Sequence, residues 1–223
     1  MGIPKAKPMA FHVMVKPRGA ICNLGCEYCF YTSKEALYPE GTFRMSDATL
    51  EAFTKQYIEA QNVPEINFAW QGGEPLLMGL DFYKRAVELQ KKYAPVGIRI
   101  NNAIQTNGTL ITNEWAKFFA EHRFLVGLSM DGPADIHDRY RKDKGGHGSH
   151  AQVLNAWKTL QKFKVDTNIM CCVHAGNGDH GVKVYKYFRD ELKADFLQFI
   201  PILEPVDEEL TRFTPECHKS YDI

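Results

Sequence analysis

Three cysteines fall within eight residues, Cys22-Asn-Leu-Gly-Cys26-Glu-Tyr-Cys29, a C-x3-C-x2-C spacing with Tyr28 just before the last thiol. Clustered thiolates are soft ligands suited to iron–sulfur chemistry. A cube of four irons held by three cysteines leaves one iron without a protein ligand. An open metal position is where a substrate or cofactor can bind, as at a catalytic zinc. Two other readings stand beside this one: three free or buried thiols, or a zinc site closed by a distant ligand such as His12. A structural zinc usually takes four local ligands, and no fourth cysteine or histidine lies inside this loop.

Other residues able to do chemistry recur at one kind of place. Gly72-Gly73-Glu74-Pro75 follows an apolar run; glycines permit close backbone approach and positive φ, so this is a turn or a ligand cradle. Glu74 would set a carboxylate where a cationic amino group could be received. Thr106-Asn107-Gly108 and Asp131-Gly132-Pro133 end two further runs. Gln105 and Asn107 are candidate polar groups of a pocket. Arg141 could fork onto a carboxylate or form a surface ion pair, and Arg139 competes with it. Cys171 and Cys172 sit in an apolar run and read as small buried hydrophobes. Cys217 is isolated. His147 and His150 in the glycine-rich loop read as solvated, while His174 at a run's end has only a weak claim on the pocket.

The elements that must position these groups alternate regularly. Strands are expected at 11–15, 65–70, 98–105, 124–130, 165–173 and 195–200. Between them the periodicity predicts helices at 46–58, 81–93, 112–122, 149–163 and 180–192, the first capped by Ser46 and the third by Thr112. Helical crossovers of this length pair strands in parallel. The fold class is α/β, a partial (β/α)6 barrel with parallel strands and outer helices. All the motifs fall just after strand C-termini, the edge that carries the active site in barrel-like α/β folds.

Composition narrows the function class. The chain has 223 residues, with 27 basic and 27 acidic, so the basic excess of a nucleic-acid binder is absent. No apolar run reaches about 18 residues, so no membrane span is expected, and the N-terminal segment lacks the pattern of a secretory signal. Six cysteines in a chain neither small nor visibly secreted fit a reducing cytoplasm better than a disulfide framework.

Taken together, the cysteine triad on the loop after a first strand and the intact Gly72-Gly73-Glu74 resemble the radical S-adenosylmethionine (SAM) superfamily. The segments 22–31, 69–77, 105–110, 127–133, 137–141 and 198–201 are more specifically similar to anaerobic sulfatase-maturating enzymes, over about residues 10–205. The resemblance implies one 4Fe–4S cluster on Cys22, Cys26 and Cys29, with SAM chelating its open iron. It implies SAM contacts from Tyr28, Gly72, Gly73, Glu74, Ser129, Arg141 and Ile202. The implied activity is oxidation of a Cys or Ser of a sulfatase polypeptide to Cα-formylglycine by a 5′-deoxyadenosyl radical, fed by a flavodoxin- or ferredoxin-like donor. Another peptide maturase of the superfamily, or a non-catalytic iron–sulfur protein, is the alternative. Family members continue into a SPASM domain with two auxiliary clusters and the proposed catalytic base. Here residues 1–9 read as a lead, 10–205 as the radical SAM core and 206–223 as an incomplete tail, so the chain is expected to carry the SAM-cleaving half.

Overall fold

A computed structural model describes residues 10–202 apart from Pro39. The lead 1–9, the tail 206–223, Cys217 and the last three residues of the expected core lie outside the described residues.

Six strands form one sheet: β1 (Val13–Val15), β2 (Glu65–Trp70), β3 (Arg99–Thr106), β4 (Phe124–Ser129), β5 (Thr167–Val173) and β6 (Leu197–Pro201). Their spatial order is their sequence order, and every neighbouring pair is parallel. The sheet curls into a half-barrel. Helices α1 (Asp47–Glu59), α2 (Leu80–Tyr93), α3 (Asn113–Glu121), α4 (Ala134–Tyr140), α5 (His150–Lys162) and α6 (Gly181–Lys186) lie in the crossovers.

Alternation along the strands decides which face is core. In β2, Ile66, Phe68 and Trp70 are buried in the main apolar cluster with α1 and α2, while Asn67 and Ala69 between them face inward. The outer core is strongly aromatic: Phe68, Trp70, Tyr83, Trp115, Phe119 and Phe124 are all buried in it. One polar clamp lies within it. Trp70 Nε1 and Gln90 Nε2 each donate to Asn102 Oδ1 at 2.9 Å, and Asn102 Nδ2 returns a bond to Gln90 Oε1 at 2.8 Å. Satisfied buried amides of this kind fix the seat of α2 on β3. The inner face is small and polar. Asn67, Asn101, Asn168 and Gln198 line a cavity of about 910 Å3 toward the strand N-termini, at the end opposite the cysteine loop.

The expected caps are present: Ser46 Oγ accepts from Thr49 N, and Thr112 Oγ1 from Trp115 N. Three expectations change. β1 has three residues, because the chain enters the sheet only at Val13. A short helix, α4, follows Asp131-Gly132-Pro133, where no helix is read from the sequence; Pro133 is its N-cap and presets the entry. The helix expected over 180–192 is broken. α6 ends at Lys186 and the chain widens into a π turn over Tyr187–Glu191, closed by Leu192 N donating to Tyr187 O at 3.1 Å. The wider turn lets Tyr187 and Phe188 both enter the core.

Candidate active site at the strand C-termini

The cysteine loop leaves β1 and crosses the mouth of the half-barrel, docking on both sides. On the near side Gly73 N donates to Gly19 O and Glu74 N to Ile21 O, each at 2.8 Å. This contact explains the two glycines. Gly72 holds φ 122°, and a Cβ on Gly73 would lie 2.1 Å from Ile21 O, a backbone atom that has no room to yield. On the far side Gly25 N donates to Lys142 O at 2.9 Å, Glu27 N to Tyr140 O at 3.2 Å, and Lys142 Nζ meets Glu27 at 2.8 Å.

Glu74 is wholly buried. Its Oε1 accepts from Leu76 N and Thr106 Oγ1, and its Oε2 from Asn107 N, all between 2.8 and 2.9 Å. Burial pushes its carboxyl up to about 7, against three hydrogen bonds that pull it down. The side chain expected to stand open to a cation therefore ties the end of β2 to the end of β3.

The three thiols are free and partly exposed. Burial pushes Cys26 up to about 12, with Arg141 pulling the other way, and burial also raises Cys22. Leu24 N and Asn107 Nδ2 donate toward Cys22 Sγ at 3.4 and 3.6 Å. Among the described residues, no three His, Cys, Asp or Glu side chains converge as a single-ion site. Three thiols on one loop, with N–H groups already aimed at one sulfur, are the donor chemistry of an iron–sulfur group.

A second cluster occupies the β4–β6 side. Asp131, two residues past Ser129, is wholly buried. It accepts from the Tyr28 hydroxyl, from Arg141 Nε at 2.8 Å and from Cys172 N at 3.0 Å, with His174 Nε2 at 3.5 Å. Tyr28 stacks on His174 at 5.2 Å, and Arg141 lies 5.4 Å from the Tyr28 ring. Tyr140, Cys172 and Ile202 pack around Tyr28. Ser129 Oγ accepts from Gln105 Nε2 at 2.9 Å, over Gly127, where a Cβ would meet Gln105 Oε1 at 2.0 Å. Cys22, Gly73 and Glu74 thus gather on the β1–β3 side, and Tyr28, Arg141 and Ile202 on the β4–β6 side.

Of the two competing arginines, Arg141 is buried in the site, and Arg139 is exposed over the Tyr140 ring. Asp131 was visible in the sequence only as part of a turn; a carboxylate at a strand end ten residues before an arginine was its signal. Cys171 is buried as expected, but Cys172 is half-buried against Arg141 Nη2 at 3.6 Å. His150, read as solvated, is buried and bonds to the Tyr187 hydroxyl at 2.9 Å, because α5 turns it inward at its first residue. His147 is exposed.

Comparison with known proteins agrees with this geometry. The family model described as the Radical SAM superfamily matches residues 17–188. A serine-type anaerobic sulfatase-maturating enzyme of Bacteroides thetaiotaomicron is 48% identical over 91% of this chain and 48% of its own length. A cysteine-type enzyme of the same name from Clostridium perfringens is 43% identical over 90% of this chain and 54% of its own. The solved structure of native anSMEcpe with bound AdoMet superposes with a TM-score of 0.80 at 43% identity, over 86% of this chain and 52% of that one. The chain spans about half the length of the curated relatives it matches. With a matching family model over most of its length and six parallel strands carrying a cysteine loop at their C-terminal edge, the chain belongs to the radical SAM superfamily.

Proposed function

We propose that this chain is the radical-generating core of a peptide-oxidising enzyme of the anaerobic sulfatase-maturating kind. Cys22, Cys26 and Cys29 hold one 4Fe–4S cluster and leave its fourth iron to SAM. When bound, cluster and SAM supply a carbon-centred radical able to take a hydrogen atom from Cβ of a Cys or Ser. The observation that carries the reading is the loop crossing the mouth, pinned on one side by Gly73 and Glu74 and on the other by residues 140–142.

The protein's own part is positioning. Gly72, Gly73 and Glu74 form the wall for the amino end of SAM, with the buried Glu74 bracing that turn. Arg141, aligned by Asp131, offers its guanidinium to the carboxylate of SAM. Ser129 lines the same pocket, and Tyr28 and Ile202 give apolar cover to the nucleoside. The substrate is a Cys- or Ser-containing segment of a sulfatase polypeptide, oxidised to Cα-formylglycine. The electron comes from a low-potential flavodoxin- or ferredoxin-like donor. Free thiols fit a reducing, cytoplasmic setting, and among the described residues no helix is long and apolar enough to cross a membrane.

Anaerobic reconstitution with iron and sulfide tests the reading. The expected result is about four irons per chain with a broad brown absorption, and 5′-deoxyadenosine released from SAM under a strong reductant. Cys26→Ala abolishes both, and Cys171→Ala keeps both. Stoichiometric zinc without SAM cleavage would sink the proposal.

A further inference from the structure

Asn107, the first residue after β3, is 8% exposed and every polar atom of its side chain is committed. Its Oδ1 accepts from Thr109 N at 3.0 Å and Thr109 Oγ1 at 2.8 Å. One hydrogen of its Nδ2 goes to Asn23 Oδ1 at 2.9 Å and the other points to Cys22 Sγ at 3.6 Å. Asn23 Nδ2 closes the ring by donating to Thr109 Oγ1 at 2.8 Å. The ring has one self-consistent orientation. If the Asn107 amide were flipped, its NH2 would face the Thr109 N–H and its oxygen would face sulfur. The backbone of Asn107 is fixed as well, since its N–H donates to Glu74 Oε2 at 2.8 Å. A continuous path runs from the buried Glu74 through Asn107 to one cysteine sulfur.

We propose that Asn107 is a positioning residue for the iron–sulfur cluster, setting its reduction potential by donating a hydrogen bond to the Cys22 thiolate. The proposal rests on the cluster assignment above. An N–H dipole on a thiolate ligand withdraws electron density from the metal and favours the reduced, more negative cluster. Leu24 N supplies a second dipole to the same sulfur from within the loop. Asn107 differs from it in coming from another strand, so its aim depends on the β3 end being held in place. Glu74 and Thr109 hold it there.

The test is a redox titration of the reconstituted full chain, followed by the electron paramagnetic resonance signal of the reduced cluster, with iron content measured in parallel. Asn101→Leu, an amide change on the same strand outside this ring, serves as control and keeps the native potential. Asn107→Leu is expected to load iron to the native level, to titrate at a more negative potential and to show an altered spectrum. Thr109→Val leaves the donor in place but unlocks its aim; it is expected to shift the potential in the same direction by less. If Asn107→Leu loads no cluster, Thr109→Val decides: a shift supports the proposal and a native potential overturns it. An Asn107→Leu cluster with native potential and spectrum also overturns it, while the cluster assignment stands. Failure of the unmodified chain to load overturns both.

Discussion

His137 holds no place in the proposed chemistry, yet it fixes the residues that do. Its Nδ1 accepts from Asp131 N at 3.3 Å, so its proton sits on Nε2, which faces Ser149 Oγ at 3.0 Å. Ser149 passes the direction on by donating to Arg141 O at 2.8 Å. The ring thereby clamps both ends of the Asp131–Arg141 pair and has no acceptor for a second proton. Burial pushes its pKa down to about 3, helped by Arg141, His150 and His174 and opposed by Asp131. Its ordinary value is 6.5, so below that pH the unfolded chain takes up a proton that the folded chain refuses. Stability from this group is therefore full above pH 6.5 and lost as pH falls toward 3. Between pH 7 and 5 the loss is about 2 kcal/mol. Gln at position 137 can keep both hydrogen bonds and does not titrate. Urea unfolding at the two pH values should show native stability falling about 2 kcal/mol more than that of His137→Gln; equal falls would show that His137 takes a proton in place. Asp131 behaves in the same sense: burial raises its carboxyl, but Arg141 and His174 outweigh it and hold the pKa well below the usual range.

At the scale of elements, the segment from α4 to α5 shows how a local signal can be right in place and wrong in agent. Ser149 is the N-cap residue of α5, a position where a serine hydroxyl ordinarily accepts from an N–H of the first helical turn. Its hydroxyl is instead taken by Arg141 O, and the first N–H of α5, on His150, is met at 2.8 Å by Asp138 Oδ1 from α4. The carboxylate fits because residue 148 is glycine, where a Cβ would lie 2.2 Å from Asp138 Cγ. Removing this cap should cost about 1 kcal/mol. Asp138→Ala is expected to lower unfolding free energy by that amount and Asp138→Asn by less; an unchanged Asp138→Ala midpoint would show that α5 starts without it. The same contrast runs through the fold. Parallel strands and their C-terminal motifs were legible because they follow from local periodicity and turn residues. The cysteine triad was legible from spacing alone. The Asp131 cluster, the buried His150 and the break after α6 were not, since each depends on a partner 10 to 103 residues away. The role of Glu74 was hidden for a related reason: its motif is local, but two of its three donors, Thr106 Oγ1 and Asn107 N, come from the end of β3 more than 30 residues on.

For the molecule as a whole, the sheet of the described residues has two edge strands, β1 and β6, and they are unequal. β1 is three residues long and offers little to another strand. β6 pairs with β5 on one side over five residues, and among the described residues no strand pairs with its other side. Phe199 and Ile200 are 44% and 42% exposed there, with Phe196 just before the strand at 70%. Pro201 removes one donor at its end, which blunts the edge only in part. An apolar edge strand with open backbone groups is a template for pairing with a second chain, and a lysine on such a strand is the usual guard against it. Sedimentation velocity of the purified chain over a range of concentrations should therefore show reversible association that grows with concentration. Phe199→Lys should weaken it several-fold, while leaving SAM cleavage by the reconstituted protein within reach of the native level, since Phe199 lies on the outer face beside Phe188, opposite the face of Gln198 and Ile202. A native chain that stays monomeric, or a variant that associates as the native does, would show that the β6 edge is not the self-pairing surface.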